Sequence, residues 1–230
     1  MSDQVVSAKV LADAVFSGNI AAVSELLQKG ADPNTIYQCN TVLMWAAGEA
    51  MTAIMRILIE SGADINAANT TGYTPLIFAV EADAPDCVNL LLDAGVDIAV
   101  QNRYKETVLH LAARAGQTAL VQRLVTIGAD IHARNWIDDT PLYLAVDNGH
   151  VYTARVLLDA GAEVNTTNRG GWTPIMMAAA KADLASMRLL LDRGADIQPS
   201  NNWGGTALSE AKKSFKAAAA VALLEAAGAQ

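Results

Sequence analysis

Three histidines, two cysteines and a few adjacent acidic or glycine pairs are the residues of this chain whose types could support chemistry. His110, His132 and His150 stand 22 and 18 residues apart and neither Cys39 nor Cys87 lies near them, so no pair has the short spacing that zinc ligands show. Asp138-Asp139 offers neighbouring carboxylates, but the ligand spacing of a calcium loop is missing around them. Gly170-Gly171 and Gly204-Gly205 are not followed by Lys-Ser or Lys-Thr and no strand precedes them, which argues for turns and against a phosphate cradle. Nothing in the pattern activates a nucleophile. The expectation is a chain with no catalytic residue, no metal and no cofactor.

The elements that would have to position such groups point to a different kind of work. Of 230 residues, 52% are hydrophobic and 17% charged, a composition that folds. Aromatics are only 5% while alanines number 44, so the core is built from small residues on closely approaching helices. Sixteen basic against 24 acidic residues give a net charge of −8, which repels a phosphate backbone wherever no local basic groove intervenes. Nucleic acid is not an expected partner. The longest apolar run, Ala217 to Leu224, is far shorter than the roughly 20 residues of a membrane span. Two cysteines in different repeats read as free thiols of a reducing compartment, and Met1-Ser2-Asp3-Gln4 lacks the basic start of a secretory signal. A cytoplasmic address is expected, with the periplasm or secretion left open for a chain whose leader has been removed.

The chain repeats itself every 33 residues. Thr41, Thr74, Thr107, Thr140, Thr173 and Thr206 keep that step, each with Leu or Ile two residues on and Ala five residues on. Threonine caps a helix N-terminus by accepting an orphan amide of the first turn, and Pro75, Pro141 and Pro174 follow it where a missing N–H costs nothing. A first helix of each unit therefore starts at the threonine, with alanine where the neighbouring helix comes close. A second helix ends in paired aliphatics such as Leu91-Leu92 and Leu190-Leu191, then in Gly62, Gly95, Gly128, Gly161 or Gly194, which supplies a left-handed stop. Asn69, Asn102, Asn135, Asn168 and Asn201 lie five residues before their threonines and mark a tight turn in a protruding hairpin.

Thr74-Pro75-Leu76-Ile77, Thr107-Val108-Leu109-His110, Thr140-Pro141-Leu142-Tyr143, Asn148-Gly149-His150 and the Gly-Ala-Asp-Ile stretches at 62–65, 128–131 and 194–197 closely resemble the ankyrin repeat. The resemblance covers nearly the whole chain and implies an all-α solenoid of stacked helix-turn-helix units with protruding hairpin loops. It places seven units in a single domain spanning 1–230, at about 7–36, 37–69, 70–102, 103–135, 136–168, 169–201 and 202–230. Met44, Ile77, Tyr143, Met176 and Ser209 replace the histidine of the motif, and Ala50, Asp83, Ala182 and Phe215 replace its inter-helix glycine. By the same resemblance His110 bonds backbone between units and His150 is a turn residue, while His132 is solvated. Lys9 in the first unit, and Glu210 with Lys212 in the last, read as polar cover on terminal caps, so the array is expected to be complete.

The resemblance also implies that partners are gripped at hairpin tips and on the concave face of the first helices, at positions four, three and one before each threonine and seven or eight after it. Each of the six hairpins carries one large ring at such a position: Tyr37, Tyr73, Tyr104, Trp136, Trp172 and Trp203. A turn has no conformational need of tryptophan. With helices roughly 8–10 Å apart, the rings would form a strip on the order of 40–50 Å long. Two readings of them stand side by side. The rings pack on neighbouring hairpins, with Arg103, Trp136 and Arg169 sharing one register for a cation–π stack, or they are anchors for a partner. The helix positions run Glu49, Glu81, Arg114, Asp147, Lys181, Lys213 along the chain, either a graded face that orients a partner or a mixed solvated surface.

The function expected is that of a soluble, monomeric module that binds another protein and catalyses nothing. Tyr37, Tyr73, Tyr104, Trp136, Trp172 and Trp203 would be its contacts, with Arg103, Arg114, Asp139, Asp147, Arg169 and Lys181 setting register. A narrower alternative is an inhibitor or immunity-type protein that plugs or sequesters one enzyme.

Overall fold

A computed structural model describes residues 2–213 and 217–229, with side chains placed from Ala8 onward; the turn expected at Phe215 lies outside the described residues. Among the described residues helices come in pairs, beginning with α1 (Ser2–Phe16) and α2 (Ile20–Gln28). A two-stranded hairpin, β1 (Ile36–Tyr37) and β2 (Asn40–Thr41), follows. Then come α3 (Val42–Gly48) with α4 (Thr52–Glu60), α5 (Pro75–Glu81) with α6 (Pro85–Asp93), and α7 (Val108–Ala115) with α8 (Thr118–Thr126). The last pairs are α9 (Pro141–Asp147) with α10 (Val151–Asp159), α11 (Pro174–Ala180) with α12 (Leu184–Asp192), and α13 (Ala207–Lys212) with α14 (Ala218–Ala226). The chain divides into two compact units, Met1–Arg103 and Tyr104–Gln230. In the first, α1, α3 and α5 pack in succession; in the second, α7, α9, α11 and α13 do, with the partner helices stacked behind them.

The expected all-α stack is therefore present, and local chemistry explains each boundary. Every recurring threonine is an N-cap in extended conformation; Thr140 Oγ1, for one, accepts the Tyr143 amide at 3.2 Å. Ala46, Ala79, Ala112, Ala145, Ala178 and Ala211 are fully buried where the first helices touch, which a larger side chain would prevent. Gly128 and Gly161 take φ of 92° and 97° just past α8 and α10, where a β-carbon would be strained. At the inter-helix turn Ala50, Asp83 and Ala182 adopt φ of 55°, 49° and 54°, the conformation that Gly116 and Gly149 hold at 70° and 74°. The loss of glycine there leaves the turn unchanged and costs roughly 1–2 kcal/mol per site.

The hairpins rest on asparagine. Asn168 Oδ1 accepts the backbone N–H of Gly170 at 2.9 Å and of Trp172 at 3.0 Å, and its Nδ2 donates to Asp139 Oδ1 at 3.0 Å. Asn69, Asn135 and Asn201 accept the corresponding pair of amides in their own hairpins. Successive hairpins of the second unit are tied through backbone: Trp136 N–H donates to the Tyr104 carbonyl, Arg169 N–H to Ile137 and Asn202 N–H to Gly170, at 2.9, 2.9 and 3.0 Å. The first hairpin has no such asparagine and uses a different turn, with Gln38 and Cys39 at φ of 50° and 69° between the paired Tyr37 and Asn40.

One expectation about the last unit is corrected. Lys212 is exposed as polar cover should be, but Glu210 is buried. The Asn201 amide needs an acceptor, and in the position where Asn69 and Asn168 find Asn40 and Asp139, the preceding unit offers Trp172, which has none to give. Glu210 Oε1 takes its place at 3.4 Å, in space left by Gly205, whose added β-carbon would collide with that carboxylate.

Two stability measurements follow. Leu124→Ala, in the fully buried face of α8, should lower unfolding free energy by roughly 2–5 kcal/mol. Asn168→Ala, which strips two amides of their acceptor and Asp139 of a donor, should cost about 2–4 kcal/mol; urea midpoints within error of wild type for either would contradict the packing or the asparagine account respectively.

Candidate functional site

Two of the three histidines and one of the two cysteines are spent on the scaffold. His110 is fully buried: its Nδ1 accepts from the Thr107 amide at 3.2 Å and faces the Thr107 hydroxyl at 2.8 Å, and Nε2 donates to the Asp139 carbonyl at 3.2 Å. Burial holds its pKa down at about 4, so the ring is neutral near pH 7 and tuned for packing. His150 Nε2 lies 3.0 Å from the Arg114 carbonyl, and its ring sits where a side chain on Gly116 would have to go. His132 is exposed. Cys87 is buried, and that burial pushes its thiol pKa up against the opposing pull of the Thr52 hydroxyl 3.2 Å away, while Cys39 is exposed on the first hairpin. Among the described residues no cluster of His, Cys, Asp and Glu could hold a metal ion, and no helix is long and apolar enough to cross a membrane.

The six rings fall into three states. Tyr37 and Tyr73, in the first unit, are half-buried against their own scaffold: Tyr37 meets Phe16 edge-on at 5.8 Å, and Tyr73 meets Phe78 at 5.8 Å with its hydroxyl 3.2 Å from Glu81 Oε1. In the second unit Tyr104 is half-buried with its ring 6.2 Å from that of Trp136, and Trp172 is half-buried against Gly170. Trp136 and Trp203 stand out, 53% and 76% exposed. Trp203 also approaches Gly170, where a β-carbon would lie 3.1 Å from its ring. Trp45 of α3 is half-buried and donates from Nε1 to the Tyr37 carbonyl at 3.0 Å.

The charged positions behave differently from expectation. Asp139 was expected to set register for a partner, but it is buried, accepts from Asn168 and carries a carboxyl whose pKa burial pushes up; it organises the hairpin and meets no solvent-borne partner. Arg114 forms an ion pair with Glu106, Lys181 with Asp147 at 2.5 Å and Lys213 with Glu210 at 2.7 Å, so the row on the second unit is largely paired within the chain. Arg169 reaches Asp138 at 3.6 Å instead of serving a ring stack alone. Arg103, in the first unit, is exposed and donates its backbone N–H to the Thr71 carbonyl. An open depression of about 450 Å³ lies between the ends of α9 and α11, lined by Val146, Asp147, Asn148, Gly149, Lys181 and Asp183.

Sequence reasoning missed Ile137, 37% exposed beside Trp136, and Tyr152, exposed on the outer helix α10. The signal for Ile137 was its place inside the turn, where no packing requires an aliphatic chain. Tyr152 lies on the opposite class of helix.

Comparison with known proteins gives one consistent answer. Models described as ankyrin repeats match residues 11–102, 85–168 and 157–211. The crystal structure of the human ASB11 ankyrin repeat domain is similar at 28% identity, covering 96% of this chain and 98% of that one, with a TM-score of 0.82.

The state of His110 makes a pH prediction with a definite sign. Its folded pKa of about 4 lies below the unfolded 6.5, so the unfolded chain takes up a proton first and stability falls as pH drops from 6.5 to 4, by on the order of 3 kcal/mol. Asp139, raised above its usual 3.8, works in the opposite sense at the acid end, and Asp130 favours the charged imidazole. The comparison is therefore with His110→Met, the residue found at this place in Met44 and Met176. Thermal midpoints of wild type should drop further than those of the variant between pH 7 and 4.5; parallel curves would refute the assignment.

Proposed function

Because the chain belongs to the ankyrin-repeat family, whose repeats are in general protein-interaction modules, we propose that it binds another protein through the hairpins and first-helix ends of its second unit. Trp136 and Trp203 are the primary anchors, Tyr104, Ile137 and Trp172 flank them, and Arg114, Asp147, Arg169 and Lys181 frame the surface. Tyr37, Tyr73 and Arg103 form a lesser contact set on the first unit. The protein acts as a monomer and without catalysis of its own.

The observation that carries this reading is the exposure of two tryptophans on hairpins whose backbone is already fixed. A ring held in place by Asn135 or Asn201 and by an amide ladder loses little freedom on binding, so more of its contact energy appears as affinity. Tryptophan, tyrosine and arginine are also the residues whose truncation most often costs 2 kcal/mol or more at an interface. Neither exposed ring is needed for its own turn, since both lie outside the asparagine bonds that shape it.

Trp136→Ala with Trp203→Ala should leave helicity and the thermal midpoint near wild type and weaken capture of the partner from lysate of the native organism at least tenfold. Equal capture by wild type and double variant would overturn the site. The narrower reading, an enzyme partner whose cleft the hairpins block, requires that partner's activity to vanish at saturating amounts of this protein; unchanged activity leaves a scaffold.

A further inference from the structure

The ion pairs of the second unit are not symmetric about the surface. Arg114 is 39% exposed while its partner Glu106 is 8%, and Lys213 is 68% exposed against 7% for Glu210. Arg169 over Asp138 and Lys181 over Asp147 keep the same order. On the opposite class of helix the order reverses: Asp159 of α10 is 59% exposed and Arg193, just past α12, is 31%. On the side that carries Trp136 and Trp203 the cation of each pair is thus more exposed than its anion, and Glu106 and Glu210 are buried, in a chain whose net charge is −8.

The hidden carboxylates have a structural task that explains the order. Glu210 accepts from Asn201, and Glu106 sits directly before the cap Thr107 in the place that Asp139 fills one repeat later. Glu210 is drawn inward toward the Asn201 amide, and Lys213 is left covering it with donors to spare. A lysine has three N–H donors and an arginine five, and the carboxylate beneath occupies only part of either set. At 0.15 M salt the screening length is about 8 Å, so a partner at contact meets these local cations and not the distant acidic residues that set the net charge.

We propose that this face takes an acidic segment of a partner protein, an extended stretch in which Asp or Glu side chains alternate with aromatic or aliphatic ones. Carboxylates pair with Arg114, Arg169, Lys181 and Lys213, and apolar side chains pack on Trp136, Ile137 and Trp203. The inference rests on the protein-binding reading above and adds the chemistry of the partner to it. A basic segment would have to displace or repel these cations to reach the rings.

The test uses the full-length chain and fluorescence anisotropy with four synthetic peptide pools: Glu alternating with Leu and Phe, Lys alternating with Leu and Phe, Glu alternating with Ser and Gly, and Gln alternating with Leu and Phe. A single-stranded 20-nucleotide RNA is the polyanion control. The first pool should bind at least tenfold tighter than the other three and the RNA, and weaken as salt rises from 0.1 to 0.5 M. Arg169→Glu with Lys181→Glu should reduce its binding at least tenfold, and the milder Arg169→Gln with Lys213→Gln at least threefold with an unchanged circular dichroism spectrum. No preference among pools, preference for the lysine pool or the RNA, or full binding by the neutral variant overturns the proposal. If lysate capture still depends on the two tryptophans in that event, protein binding stands and only the acidic partner falls.

Discussion

A single side-chain oxygen accepting two backbone amides sets the geometry on which the hairpin face depends. Asn69, Asn135, Asn168 and Asn201 each fold their loop around their own side-chain carbonyl, so a five-residue turn is held without a core beneath it. Asn135 and Asn201 are buried, and a buried amide must satisfy its donors as well as its acceptor. The donor side reaches for Asn40, Asp139 or Glu210 and thereby fixes where one hairpin lies against the next element. Backbone bonds from each hairpin to its predecessor within the second unit complete the row.

That demand for acceptors also shapes the electrostatics. Carboxylates are the strongest acceptors available, and Asp139 and Glu210 are pulled inward on the hairpin side. The desolvation cost is offset by charge-assisted hydrogen bonds and by a covering lysine or arginine. A row that looks mixed in sign when its residues are only counted becomes one in which the cation of each pair lies outermost.

The fold was legible because its determinants are local and periodic. Thr140 caps a helix whatever surrounds it, Ala145 at a contact permits only close approach, and Gly161 past a helix stops it, so a 33-residue echo carried the architecture. The hairpin face was legible only in part. The ring positions could be read from the turn, and Trp136 and Trp203 lie exposed, but the burial of Tyr73 against Phe78 depends on a rotamer that spacing does not reveal. Asp139 and Glu210 were misread as surface residues because their partners, Asn168 and Asn201, stand 29 and nine residues away and the bond between them exists only in three dimensions. The ordering of each ion pair, cation out and anion in, has the same origin.

Since the turn conformation is dictated by asparagine and backbone, the ring at a hairpin tip is free to change identity without endangering the fold. Mutation can rewrite the exposed hairpin tips one loop at a time while selection for foldedness stays silent. Such a chain is poised to follow a changing ligand over evolutionary time, and laboratory diversification confined to residues 136, 137 and 203 would sample new specificities on an undisturbed scaffold.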